Sequence, residues 1–170
     1  GDSYARVSSY YGGSLSLYSR YTANIGGLPV NDILTHREGI LSLNEDSLHF
    51  ANRRGVTMMN LTSVDVAAFS GLRSMCFGGA EYVNHVYCAG TNPNSGIVRI
   101  DLNRGTPSSV ISYPHKVKHM CSNNKVISVG KQTGGVDILD PRSNSVVRTF
   151  SAHSGTISSM DSKDYTLVTV

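Results

Sequence analysis

Along this chain apolar and polar residues alternate in short runs, and each run ends in residues that reverse direction. ILSLNED (40–46) and SLHFA (47–51) alternate, the turn Asn52-Arg53-Arg54-Gly55 follows, and VTMMNL (56–61) resumes the pattern. HVYCAG (85–90) leads through TNPNSG (91–96) to IVRID (97–101) and the turn LNRG. KVISVG (125–130) leads through KQTGG to VDILD, the turn PRSN and VVRTF (146–150). A period of two sends successive side chains to opposite faces of a strand, and Gly and Asn stand where a tight reversal needs positive φ. No stretch of ten or more residues carries a 3.6-residue period. The pattern predicts an all-β chain.

The runs also recur. G-x-V-x-I begins at Gly96 (GIVRI) and again at Gly134 (GGVDI), an interval of 38 residues. GDSYARVSSY superposes on GKQTGGVDIL, with Gly1 over Gly130, Val7 over Val136 and Tyr10 over Leu139, an interval of 129 residues or three repeats of 43. Repeats of about 40–45 residues mark a β-propeller, each repeat a four-stranded blade. The best copy, GVDILDPRSNSVVRTFSAHSGTISSMD, resembles the WD40 repeat. Asp140 holds the Asp place, Leu139 the Trp place, and His153 sits in the loop before the next strand. The chain has no Trp, and Thr133 stands where an acidic turn residue is usual. The His/Asp/Ser/Trp network of an ideal repeat therefore cannot form, and packing is expected to fall to β-branched and Leu side chains. The expected fold is a partial WD40-type β-propeller. Residues 1–21 give the outer half of one blade, 28–62, 70–113 and 115–151 give three full blades, and 155–170 give the inner half of a fifth, within a ring of seven. Such a ring covers its edges and inter-blade faces only on closing, so the sequence is expected to be a segment of a longer chain.

Composition bears on function more than on fold. The 170 residues are 39% hydrophobic and 16% charged, enough for one core, and the net charge of +3 permits contact with nucleic acid or an acidic partner and demands neither. No apolar run approaches the roughly 18 residues of a membrane span, and GDSYARVSSYYGG lacks the apolar segment of a signal peptide. Cys76, Cys88 and Cys121 form no C-x-x-C pair and are expected to be buried reduced thiols of a cytosolic protein. The Asn60-Leu61-Thr62 sequon carries no weight without a secretory route.

Candidate chemistry is sparse. Of twelve carboxylates only Glu38, Glu45 and Glu81 are Glu, and D-x-E, the seed of many two-metal nuclease sites, is absent. Asp46, Asp101 and Asp140 fall at strand ends or turns, where Asp accepts backbone N–H groups. His115 and His119 are four apart, a spacing that suits a metal only on a helix, whereas VKHM reads as a strand. No nucleophile motif or phosphate-binding loop occurs, and Gly26-Gly27 and Gly78-Gly79 read as turns. No catalytic, cofactor-binding or metal-binding residue is therefore assigned. Two basic clusters remain, Arg53-Arg54 in a hairpin and Lys116 and Lys118 within HKVKH. They are candidate contacts for a partner or for RNA phosphates, with Tyr10, Tyr11, Tyr18 and Tyr21 as candidate stacking groups. Solvated loops and half-buried tyrosines explain the same residues more simply.

Longer strings carry a sharper resemblance. EDSLHFANRRGVTMMNLTSVDVAAFS (45–70), IDLNRG (100–105), KVKHMCSNNKVISVGKQTGGVDILDPRSN (116–144) and SAHSGTISSMDSKDYTLVTV (151–170) closely resemble the N-terminal WD40 domain of poly(A)-nuclease deadenylase catalytic subunits of the budding-yeast type. The resemblance implies a multi-domain protein. Its linker is gripped by a pseudokinase adaptor dimer, and a ubiquitin-hydrolase-like domain and a DEDD exonuclease using two divalent metals (Mg) follow. It implies cytoplasmic shortening of mRNA poly(A) tails, with recruitment through poly(A)-binding protein. None of the catalytic motifs is in this sequence, so the implied role is a non-catalytic scaffold. Two other readings stay open: a WD40 adaptor that reads peptides in another pathway, and a propeller that contacts RNA. The complementary half blades also raise the possibility of ring closure between two copies.

Overall fold

A computed structural model of the chain describes the backbone of residues 4–11 and 14–22 and the residues 28–170, Glu81 by its backbone alone. Strands dominate as the alternation predicts. They form antiparallel meanders in which each strand pairs with the next in sequence. The first sheet is a hairpin of β1 (Tyr4–Tyr11) and β2 (Ser14–Thr22). The second holds β3 (Asp32–His36), β4 (Gly39–Leu43), β5 (Ser47–Asn52) and β6 (Thr57–Thr62). The third holds β7 (Leu72–Phe77), β8 (His85–Gly90), β9 (Ile97–Asp101) and β10 (Thr106–Ile111). The fourth holds β11 (Val117–Ser122), β12 (Ile127–Lys131), β13 (Gly135–Asp140) and β14 (Ser145–Ser151). A final hairpin joins β15 (Met160–Lys163) to β16 (Thr166–Thr169). The one helical element among the described residues is a 3-10 turn at Ala80–Tyr82.

The sheets stack face to face in an arc, with β3 against β7, β7 against β11 and β11 against β15 along its inner side. This is the arrangement of propeller blades. The period of two in the sequence divides each strand between two seams. On β8, Val86 and Cys88 join Leu41, Leu48 and Phe50 of the second sheet, while Tyr87 and Ala89 join Ile127, Val129 and Leu139 of the fourth. β8 is covered on both faces, so its apolar run is continuous and its residues from Val86 on are all buried. On β11 Met120 belongs to the same seam as Tyr87, and Cys121 belongs to the next one with Val136, Ile157 and Met160. Burying a side chain of Leu or Ile size stabilises by about 1.5–3 kcal/mol, so these seams are what holds the sheets together.

Polar stitches run between the inner strands. The Met75 N–H donates to Asp32 Oδ2 at 2.8 Å, the Ser74 hydroxyl donates to the same oxygen at 3.1 Å, and the Met120 N–H donates to Ser74 Oγ at 2.9 Å. One carboxylate and one hydroxyl thus tie β3, β7 and β11 in sequence. The turns are closed by side chains as well. Asn52, Asn92, Asp101, Asn123 and Asp140 each accept the N–H two residues on, at 2.9–3.0 Å. Asp101 and Asp140 therefore do the structural work expected of them. In the β4–β5 turn Asn44 is the acceptor, and Asp46 donates its N–H to it at 3.1 Å.

The network missing from an ideal repeat has a substitute that the sequence pattern did not disclose. Tyr113, in the connection to β11, donates its hydroxyl to Asp137 Oδ2 at 2.6 Å, and Lys131 Nζ meets Asp137 Oδ1 at 2.8 Å. Burial works to raise the Asp137 carboxyl, but Lys131, Tyr113 and Thr149 outweigh it and hold the group below the ordinary carboxylate range. His153 pairs with the Thr169 hydroxyl at 2.8 Å. The fourth sheet is therefore held by a polar cluster as well as by the aliphatic packing expected from the sequence.

Candidate interaction surface

Successive turns of a meander alternate between the two ends of its sheet, so topology fixes which loops share a surface. The β3–β4, β7–β8 and β11–β12 turns gather at one end, around a cavity of about 700 Å³ lined by His36, Phe77, Val83, Asn123 and Lys163. The β8–β9 and β12–β13 turns and the connections between sheets gather at the other. There Pro93, Pro114, His115, Lys116, Gln132 and Thr156 border a cavity of about 480 Å³. The inner strands form the wall between, with Asp32, Ser74, His119 and Asp161 along it.

The two basic clusters fall at opposite ends. Arg53 and Arg54 occupy the β5–β6 turn at the first end, and both are exposed. The Arg53 N–H donates to the Glu38 carbonyl at 3.1 Å, which ties this turn to the neighbouring β3–β4 turn. Lys116 is exposed at the second end, and Lys118 is half-buried on the inner strand β11. No single surface brings the four cations together. Tyr10, Tyr11, Tyr18 and Tyr21 lie on strands whose side chains are outside the described residues.

The chemistry of the described residues is that of packing. They contain no group of three or more His, Cys, Asp or Glu able to hold a metal. Cys76, Cys88 and Cys121 are buried and unbridged, and burial pushes each thiol up, away from the reactive thiolate. Asp32 is also shifted up, by burial first and against the hydrogen bonds from Met75 and Ser74. Its oxygens are engaged in tying strands, which leaves it no role as a base.

Comparison with known proteins fits this picture. No protein-family profile matches the chain, which agrees with repeats that lack Trp and the usual acidic turn residue. Curated relatives nevertheless match it from end to end. The chain is 59% identical over 170 residues to the PAN2-PAN3 deadenylation complex catalytic subunit PAN2 of Saccharomyces cerevisiae, covering 100% of this chain and 15% of that protein. It is 54% identical over 169 residues to the Kluyveromyces lactis protein of the same name, covering 99% of this chain and 15% of the relative. The chain thus spans about a seventh of the relatives it matches. Among solved structures, the Neurospora crassa Pan2 WD40 domain superposes with a TM-score of 0.81 at 22% identity, over 95% of this chain and 48% of that one. The computationally designed Ika4 protein superposes with a TM-score of 0.71 at 10% identity, over 88% of this chain and 89% of that one. The structural likenesses establish the fold, and the sequence relatives show which proteins the chain is similar to. The chain is homologous over its whole length to the WD40 segment of the PAN2 catalytic subunits of PAN2-PAN3 deadenylation complexes.

Proposed function

We propose that this chain is a non-catalytic docking platform within a cytoplasmic poly(A)-tail-shortening enzyme. It forms part of a seven-bladed ring that receives the pseudokinase adaptor and helps to present poly(A)–protein complexes to a nuclease domain elsewhere. The observation that carries this reading is end-to-end similarity to deadenylase catalytic subunits over a segment folded as propeller blades. Chemistry elsewhere in such a protein leaves binding as the contribution of these blades. The exposed pair Arg53 and Arg54 is the preferred contact, since it projects from a turn and no described carboxylate side chain pairs with it. Lys116 serves the opposite end, and Lys118 contributes less because its strand half-buries it. The test is direct. The purified chain incubated with Mg²⁺ and oligo(A) shortens nothing, and measurable shortening would overturn the proposal.

A second reading concerns how the arc closes. Every residue of β14 is exposed, with Val146 at 42%, Val147 at 58% and Phe150 at 40%, and β15–β16 is a sheet of only two strands. The β1–β2 hairpin of a second copy has the strand count to complete that sheet and cover β14. Light scattering of the purified chain at high concentration then reports a dimer, and a strict monomer removes this route.

A further inference from the structure

At the first end of the arc, the seam between the third and fourth sheets holds a group of polar side chains with unmet needs. Tyr87 on β8 stands opposite Arg99 on β9, and Arg99 stands opposite Ser109 on β10. Tyr87 Oη, Arg99 Nε, Ser109 Oγ and His85 Nδ1 are all buried without a hydrogen-bond partner. Among the described residues seven such atoms occur, so more than half collect on this one face. Buried polar groups are ordinarily satisfied, and a cluster that is not asks for a missing partner.

The cluster lies behind a cavity of about 290 Å³ lined by Gly78, Tyr82, Asn124, Lys125, Pro141 and Arg142, and reaches its wall through Tyr82 and Gly78. The Arg99 guanidinium lies 5.1 Å from the centre of the Tyr82 ring, on the wall of that cavity, and 6.0 Å from Tyr87. Gly78 lets the Tyr87 ring come close, since a Cβ there would stand 3.0 Å from it. The charge balance is uneven. Asp140 is engaged by Arg142 at 2.9 Å, and Asp101 is engaged by Arg104 at 3.7 Å and by its own turn. Arg99 and Lys125 have no carboxylate among the described residues. Among the described residues the Arg99 guanidinium and the Lys125 ammonium have no ion-pair partner and the Tyr87 hydroxyl has no hydrogen-bond partner; Lys125 lines the cavity, and Arg99 and Tyr87 stand directly behind its Tyr82 and Gly78 walls.

We propose that this seam is a binding site for a carboxylate side chain of an extended acidic peptide. The carboxylate takes hydrogen bonds from Arg99 and Lys125, and the peptide backbone runs over the flat faces of Tyr82 and Pro141. A volume near 290 Å³ is at the lower limit for small-molecule pockets, and it fits one side chain with its flanking backbone. A carboxylate is also the group to which a guanidinium donates two parallel hydrogen bonds.

The experiment is a titration of fluorescein-labelled hexaglutamate into the intact protein, followed by anisotropy. Saturable binding is expected. Arg99→Met and the exposed-site variant Lys125→Met should each weaken it, the first by about tenfold, the usual scale for losing one charged hydrogen-bonding partner. Tyr87→Phe should weaken binding while leaving the melting temperature of the free protein unchanged or higher, because its hydroxyl has no partner to lose. Binding that ignores both Arg99→Met and Lys125→Met overturns the proposal, as does an absence of saturable binding. An oligoadenylate that binds more tightly than hexaglutamate and is lost on Lys125→Met assigns the seam to nucleic acid, and it overturns the peptide reading equally.

Discussion

Two histidines make the stability of this protein depend on pH in a direction that can be worked out. His49 is buried and holds the Thr57 hydroxyl at 2.9 Å through Nε2, and burial pushes its pKa down. His85 is pushed down by burial first and then by the Arg99 charge. A histidine whose folded pKa lies below its unfolded value of about 6.5 contributes stability that is fully present above that value and is lost as pH falls toward the folded value. Asp32 has the opposite sign, because burial raises its carboxyl; its contribution is full below the unfolded carboxylate value of about 3.9 and fades as pH rises through the folded one. The two contributions have opposite signs, so the histidine part is read from the difference between parent and histidine variant. The urea midpoint should therefore fall between pH 7.5 and pH 5, and the double variant His49→Gln/His85→Gln should flatten that fall. An equal slope in parent and variant would contradict the assignment. Little of this was legible in the sequence. Which histidine is buried depends on which seam its strand face joins, and the buried Tyr113–Asp137–Lys131 cluster joins residues up to 24 positions apart in no recognised motif.

At the scale of the element, the strands and turns follow from local rules and were largely readable. Runs such as IVRID and VDILD became β9 and β13, and the polar turns after them became side-chain-closed reversals. What alternation could not say was how fully each strand is buried, since that depends on neighbours on both faces. β8 is covered on both sides whereas every residue of β14 is exposed, although both carry apolar residues. The turn into β13 gives a sharp test. Gly134 has a φ of 87°, and a Cβ there would collide with the carbonyl oxygens of His153 and Gly155, while Gly155 itself has nothing within 4 Å of such an atom. Both the backbone conformation and the close approach require glycine at the first position only. Gly134→Ala should lower the stability by more than about 1 kcal/mol, and Gly155→Ala should cost less than about half of that, the range for an unconstrained surface change. Comparable denaturation midpoints for the two variants would show that the turn tolerates a different path.

For the whole molecule, repetition was the decisive signal. Intervals of 38 and 129 residues mark blades in the sequence, and the structure places three four-stranded sheets side by side with their apolar faces shared. The interaction surface was less legible, because two clusters that look alike in sequence lie at opposite ends of the arc. Only the parity of the turns separates them. Arg53 and Arg54 are proposed as contacts for a partner, with no part in bond cleavage. Under the proposed function, the measurement that tests this most directly compares two rates for the full-length nuclease subunit of which these blades are proposed to be a segment, carrying Arg53→Glu/Arg54→Glu. One is tail shortening on bare oligo(A), and the other is its stimulation by the adaptor subunit on protein-coated poly(A). The expected result is a bare-substrate rate within about twofold of the parent and a stimulation reduced by about tenfold, the effect of roughly 1.4 kcal/mol at a docking contact. Equal loss of both rates, or full stimulation in the variant, would contradict it.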